Sequence, residues 1–180
     1  MVPWAISACS SASVGRRNLR NTCEIHAAFD PLAPSRMEPR GGHGPVVDLM
    51  PTPTQDPVEV ADQVVDILLD EGWEPGSVAA ITTGHRHPVQ EELTSLHGQE
   101  GYLERFWAGD EVFYGHVLGC KGLERKAVVR CVNESIVKDR ARERIYVGMS
   151  RATDRLIVVG DPAIIREIGG PEVAKRIGIQ

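Results

Sequence analysis

The sequence has no closely spaced cysteine pair, no excess of basic charge, no membrane-length apolar run and no internal repeat. Each absence excludes something. Cys9, Cys23, Cys120 and Cys131 lie too far apart for a zinc knuckle, and no His-x₃₋₅-His follows at finger spacing. They are expected to be reduced, mostly buried thiols in a cytoplasmic protein. Lys and Arg number 20 against 25 Asp and Glu, a net charge of −5, so bulk electrostatic binding of nucleic acid is not expected, although a local basic surface is compatible with it. No apolar run reaches the roughly 20 residues of a membrane span, so no membrane partner is expected. The start of the chain lacks the basic and apolar regions of a signal peptide. A Gly-x-x-x-x-Gly-Lys-Ser/Thr phosphate loop is missing, and no strand ends in the paired acidic residues of a magnesium site.

What is present reads as one folded unit of 180 residues with 42% hydrophobic residues. Residues 1–13 carry little pattern and are expected to be irregular or disordered; residues 14–180 form the domain. Asp56-Pro57-Val58-Glu59 combines a cap, a first-turn proline and a first-turn acid. It opens a helix buried through Val58, Ala61, Val65 and Leu68 and closed by Gly72. The helix lies between predicted strands Val46–Met50 and Val78–Thr82. Further strands are expected over Ala127–Val132 and Leu156–Val159, and a helix from Pro162 to Gly169-Gly170. A last helical turn or two starts at Pro171 and ends near Gly178. This alternation predicts an α/β fold with a mostly parallel sheet flanked by helices.

Three stretches carry the chemistry. In the first, Ala141, Ile145, Met149 and Ala152 recur at helical spacing behind Asp139, a candidate N-cap. Arg140, Arg144 and Arg151 fall on another face. Taken alone, these arginines equally fit a solvated basic helix. In the second, Arg20 precedes a short helix bearing Ile25, Ala28 and Phe29. Asn21 and Glu24 there read as a variant capping box. The third is Lys121-Gly122-Leu123-Glu124, ahead of the strand at Ala127. Pro31 to Pro45 reads as an extended loop. Thr83 to Pro88 is a loop at a strand C-terminus, where open α/β sheets bind ligands. Its His85 and Arg86 are candidates for phosphate contacts. His85 and His87 also form a His-x-His pair, without any further ligand fixed nearby. His97 to Asp110 is expected to be a loop with short helical character. Its Tyr102, Phe106 and Trp107 read as core anchors in preference to base-stacking platforms.

The stretch Tyr146-Val147-Gly148-Met149-Ser150-Arg151-Ala152 resembles motif VI of superfamily 1 helicases of the UvrD/Rep type, usually Tyr-Val-Ala-x-Thr-Arg-Ala. Asn18-Leu19-Arg20-Asn21 is similar to their motif IV, usually Asn-Tyr-Arg-Ser/Thr. His116 through Glu124 resembles motif V, typically Thr-x-His-x-x-Lys-Gly-Leu-Glu. The family threonine falls at His116 and the family histidine at Leu118; Val117 and Leu118 also read simply as strand core. The resemblance covers about Val14 to Pro162 and implies the second, C-terminal RecA-like domain of such an enzyme. The phosphate-loop half is absent.

By that resemblance Arg20 and Arg151 are γ-phosphate ligands, since a guanidinium offers a rigid fork of donors to phosphate oxygens. Glu124 is the ribose ligand, because a carboxylate accepts from hydroxyls. Gly122 allows close backbone approach, and Lys121 suits either nucleotide or DNA. His116, His85 and Arg86 face nucleic acid. The implied cofactor is ATP with Mg²⁺, the Mg²⁺ ligands coming from a first RecA-like domain. The implied partners are single-stranded DNA and that first domain, in cis or in trans. The chain alone is expected not to hydrolyse ATP. An alternative of a different class is a non-catalytic accessory or truncated helicase-like protein that binds nucleic acid or a partner ATPase.

Overall fold

The computed structural model describes residues 17–33 and 37–180. The expectation for residues 1–13 therefore lies outside the described residues, as does Cys9. The order of elements is β1 (Arg17–Asn18), α1 (Cys23–Phe29), β2 (Glu38–Pro39), β3 (Asp48–Pro51), α2 (Pro57–Asp70), β4 (Val78–Thr82), α3 (Pro88–Ala108), β5 (Phe113–His116), β6 (Arg125–Val132), α4 (Ala141–Met149), β7 (Ala152–Gly160), α5 (Pro162–Gly169) and α6 (Pro171–Arg176). Strands β3-β7-β6-β4-β5 lie side by side in that order, and every pairing is parallel. The short β1 and β2 form a separate parallel pair.

The sheet is buried on both faces, which explains its continuously apolar strands. Val78, Ala80, Ala127, Val129, Ile157 and Val159 meet α2 through Val58, Ala61, Val65 and Leu68. The alternate residues Ala79, Ile81, Val128, Val132, Leu156 and Val158 face a core shared with α1, α3, α4, α5 and α6. Two-residue alternation thus assigns each strand position to one side. Asp56 caps α2 by accepting from the Val58 amide at 2.9 Å, and Asp161 caps α5 in the same way. These helix starts were legible from Asp-Pro. Cys120 and Cys131 are buried free thiols, Cys23 is half-buried, and burial pushes the Cys120 thiol up to about 11.

Several expectations are corrected. His97–Asp110 is not a loop but the second half of α3, broken at Gly98, whose φ of 69° interrupts the helix without ending it. Tyr102 and Phe106 are core residues, but Trp107 is 73% exposed. Ala152 is not helical. The Arg151 amide bonds Gly148 O at 3.2 Å, tightening the last turn, and Ala152 then pairs with Arg125 in the sheet. Asp139 does not cap α4; Arg140 occupies that position at φ 63°, without a side-chain cap. Nor do Asn21 and Glu24 form a capping box. Thr22 caps α1 by accepting from the Ile25 amide, while Glu24 bonds His43 at 2.9 Å and the Gly44 amide at 2.8 Å. The strand expected at Val46 begins at Asp48. The loop of residues 31–45 includes β2. Val117 is buried, whereas Leu118 is exposed beyond the end of β5.

Candidate functional site

Parallel strands put all their N-termini at one end of the sheet. Glu124 immediately precedes β6 and Arg151 immediately precedes β7, and the ladder aligns Arg125 with Ala152. The two side chains are therefore neighbours at the N-terminal end. Arg20 reaches the same place from the turn between β1 and α1. That turn is built by Asn18, whose Oδ1 accepts from the Arg20 and Asn21 amides at 3.0 and 3.3 Å. Asn21 then ties the turn to the α4–β7 junction by donating to Ser150 O at 3.3 Å and Ala152 O at 2.5 Å. Arg20 is thus fixed beside residues more than 100 positions away in sequence, through the turn that the Asn18 and Asn21 side chains hold.

Arg20 Nε lies 2.6 Å from Glu124 Oε1. Arg151 folds back on its own helix, donating from Nε to Val147 O at 3.0 Å and from Nη2 to Ser150 Oγ at 2.9 Å. Burial lowers the Arg151 pKa, the Arg20 charge adds to this, and Glu124 opposes it. One carboxylate thus pairs directly with Arg20 and attracts Arg151 at longer range. A groove of about 510 Å³ opens beside them, lined by Arg17, Leu19, Arg20, Tyr146, Ser150 and Arg151. That volume suits a small organic anion. Three guanidinium groups line it in a chain that is acidic overall. Lys121 and Gly122 are exposed on the turn before Glu124, and Gly122 has φ 86°, a conformation glycine adopts without strain.

His116, His85 and Arg86 lie elsewhere. All three follow or end strands at the C-terminal end of the sheet. The eight residues of β6 separate the two ends by roughly 25 Å at about 3.3 Å per residue. His85 and Arg86 are exposed. The His116 ring is engaged internally: Nε2 donates to Thr83 O at 3.0 Å and Nδ1 accepts from the Leu118 amide at 3.4 Å. Burial lowers its pKa, so the neutral Nε2–H form fits both bonds. Beside it, Thr83 Oγ1 donates to Glu134 Oε2 at 2.6 Å, and Arg144 Nη1 stands 3.8 Å from Glu134 Oε1. Asn133 accepts from the Thr83 and Gly84 amides and donates to His85 O.

Sequence reasoning missed Arg17, Tyr146 and Ser150 in the groove, and Arg130 and Glu134 inside the protein. The signal for Arg130 was a single arginine in an otherwise apolar strand. Arg17 carried no signal, and Tyr146 stood in the motif VI stretch without a role of its own, because only the closing of β1 and α4 onto one groove brings them together. Among the described residues no group of three or more His, Cys, Asp or Glu side chains is placed to hold a metal ion. The described residues contain no helix long and apolar enough to cross a membrane.

No family model matches the sequence, and no curated protein matches it. Among solved structures, the chain is similar to the crystal structure of the C-terminal domain of a possible DNA helicase from Lactobacillus plantarum WCFS1. The two share 18% identity with a TM-score of 0.52, over 80% of this chain and 88% of that one. At this identity the likeness is one of fold, and it agrees with a RecA-like α/β domain built on a five-stranded parallel sheet.

Proposed function

We propose that this chain is the C-terminal RecA-like module of an ATP-dependent, UvrD-like superfamily 1 DNA helicase. In this reading the groove at the N-terminal end of β6 and β7 receives the phosphates and ribose of ATP. The observation that carries it is the convergence of Arg20, Glu124 and Arg151, with Arg20 Nε 2.6 Å from Glu124 Oε1. These are the three residues that the helicase motifs assign to the nucleotide. The fold likeness to a domain described as part of a possible DNA helicase supports the same reading.

The donor set suits the ligand. Arg20 and Arg151 offer planar forks to phosphate oxygens. Glu124 offers an acceptor to ribose hydroxyls. Mg²⁺ would draw its protein ligands from a phosphate-loop domain docked against this groove. Bound there, ATP supplies the phosphoryl group, and this chain's arginines orient it and offset charge as the cleft closes. Single-stranded DNA would run along the C-terminal end, near the exposed His85 and Arg86. His116 contributes there through its bond to Thr83 and not as a free imidazole.

The test uses a protein that joins this module to a phosphate-loop domain. Arg151→Ala is expected to lower ATP hydrolysis about a thousandfold, with a much smaller loss of ATP affinity. Unchanged hydrolysis would contradict the proposal.

A further inference from the structure

Arg130 heads the largest fully buried side chains, in the middle of β6 between Val128 and Val132, on the face covered by α4. Its Nη1 donates to Ile81 O at 2.8 Å and its Nη2 to Arg144 O at 3.1 Å. Its Nε has no hydrogen-bond partner. Among the described residues no carboxylate comes within 4.0 Å of it. Burial pushes the guanidinium down to about 10, so it remains a cation at neutral pH. The buried Glu134 carboxylate offsets part of the cost from beyond 4.0 Å, yet a buried cation whose direct partners are two carbonyl oxygens is costly, and an apolar side chain of similar volume would cost less. Its place in an otherwise apolar strand calls for a reason beyond packing.

The reason lies in α4. A Cβ at Gly148 would overlap Nε, Cζ and Cδ of Arg130, so the helix has closed directly onto the guanidinium. Arg144 O, one turn earlier on the same helix, accepts from that guanidinium. Two successive turns of α4 are thereby set in height and rotation against β6. The next residues form the turn that carries Arg151. Ser150 N bonds Tyr146 O at 3.0 Å, and Arg151 N bonds Gly148 O itself at 3.2 Å. The Arg151 guanidinium rests on Val147 O.

The geometry points to Arg130 and Gly148 as an interlock that positions Arg151 in the groove. Arg130 is a positioning residue, since it touches no ligand. The inference rests on the reading of Arg151 as a phosphate ligand for its functional consequence, but not for its structural one.

The experiment uses the full chain, with Arg130→Met, Gly148→Ala, the double variant and Arg151→Ala. Amide hydrogen exchange, denaturant unfolding and binding of inorganic tripolyphosphate are measured on each. In Arg130→Met the Ser150 and Arg151 amides are expected to exchange about tenfold faster or more, with global stability kept or raised. Tripolyphosphate affinity should fall about fivefold. Gly148→Ala should unfold at lower denaturant, and the double variant should recover most of that loss, because the longer residue at 148 then meets a flexible thioether. Unchanged exchange at Ser150 and Arg151, or exchange that rises only in step with global destabilisation, overturns the interlock. Should Arg130→Met not fold, Arg130→Lys replaces it. Lysine keeps the charge but not the fork, so the same local rise in exchange is expected, and its absence overturns the proposal. If Arg151→Ala leaves tripolyphosphate binding intact while the exchange result holds, the interlock stands and the phosphate reading fails.

Discussion

At the N-terminal end of the sheet, Arg20, Glu124 and Arg151 stand on short turns beside an open groove. At the C-terminal end, His116, Asn133 and Glu134 all bond Thr83, and all four are buried except the half-buried His116. Both ends are polar, yet the charges do different work. Glu124 and Arg20 keep side-chain exposures of 31% and 53%, so water screens their pairing and a ligand can displace it. The Glu134 side chain has no exposure, so its bonds are structural. A charged residue at a strand end is therefore a ligand-binding candidate only if the fold leaves its pairing open to exchange.

This contrast is broken first at Glu134. Glu134→Ala leaves the Thr83 hydroxyl only its 3.4 Å contact to Cys131 O and removes the carboxylate facing Arg144, and it is expected to cost about 1–3 kcal/mol of stability. Glu124→Gln, at the other end, should cost under about 0.5 kcal/mol. Denaturant unfolding of both variants reads the difference, and equal losses would erase the distinction.

The second difference is in pH. Burial lowers the pKa of both His87 and His116, so below the ordinary histidine value the unfolded chain binds protons that the folded chain refuses. Stability from these two groups is full above about pH 6.5 and falls as pH drops toward their lowered values. The slope is at most about 1.4 kcal/mol per pH unit for each histidine. His116→Gln should flatten the slope in unfolding curves taken between about pH 7 and 5.

Smaller effects are expected in the groove. Arg20→Ala should weaken tripolyphosphate binding about tenfold, or about 1.4 kcal/mol, without a comparable loss of stability. Glu124→Gln should strengthen it two- to threefold, roughly 0.5 kcal/mol, because the competing carboxylate is gone. Salt should shrink that gain. Calorimetric titration checks both, and weaker binding by Glu124→Gln would show that the carboxylate does not compete with phosphate.

Much of the architecture was legible in sequence, because its signals are local. Asp56-Pro57 and Asp161-Pro162 mark helix starts, and β-branched runs mark buried strands. The short motifs around Arg20, Glu124 and Arg151 pointed to three residues that the fold brings together beside the groove. The errors came where tertiary contacts took over a local signal. Asn21 looked like a cap, but it bonds the α4–β7 junction, which frees the capping role for Thr22. His97 to Asp110 looked like a loop, yet α3 continues through Gly98 to place Tyr102 and Phe106 in the core. His116 looked like a free ligand-facing histidine until its two ring nitrogens proved occupied. Arg130 gave a sequence signal but no hint of its partner, since Gly148 shows its role only when α4 lies on β6.

The most direct test of the central claim is tripolyphosphate binding by the chain with either Arg151→Ala or Arg86→Ala, one substitution at each end of the sheet. The N-terminal groove predicts that Arg151→Ala loses most of the affinity while Arg86→Ala keeps it. Loss of binding in Arg86→Ala, with Arg151→Ala unaffected, would move the phosphate site to the opposite end and contradict the account.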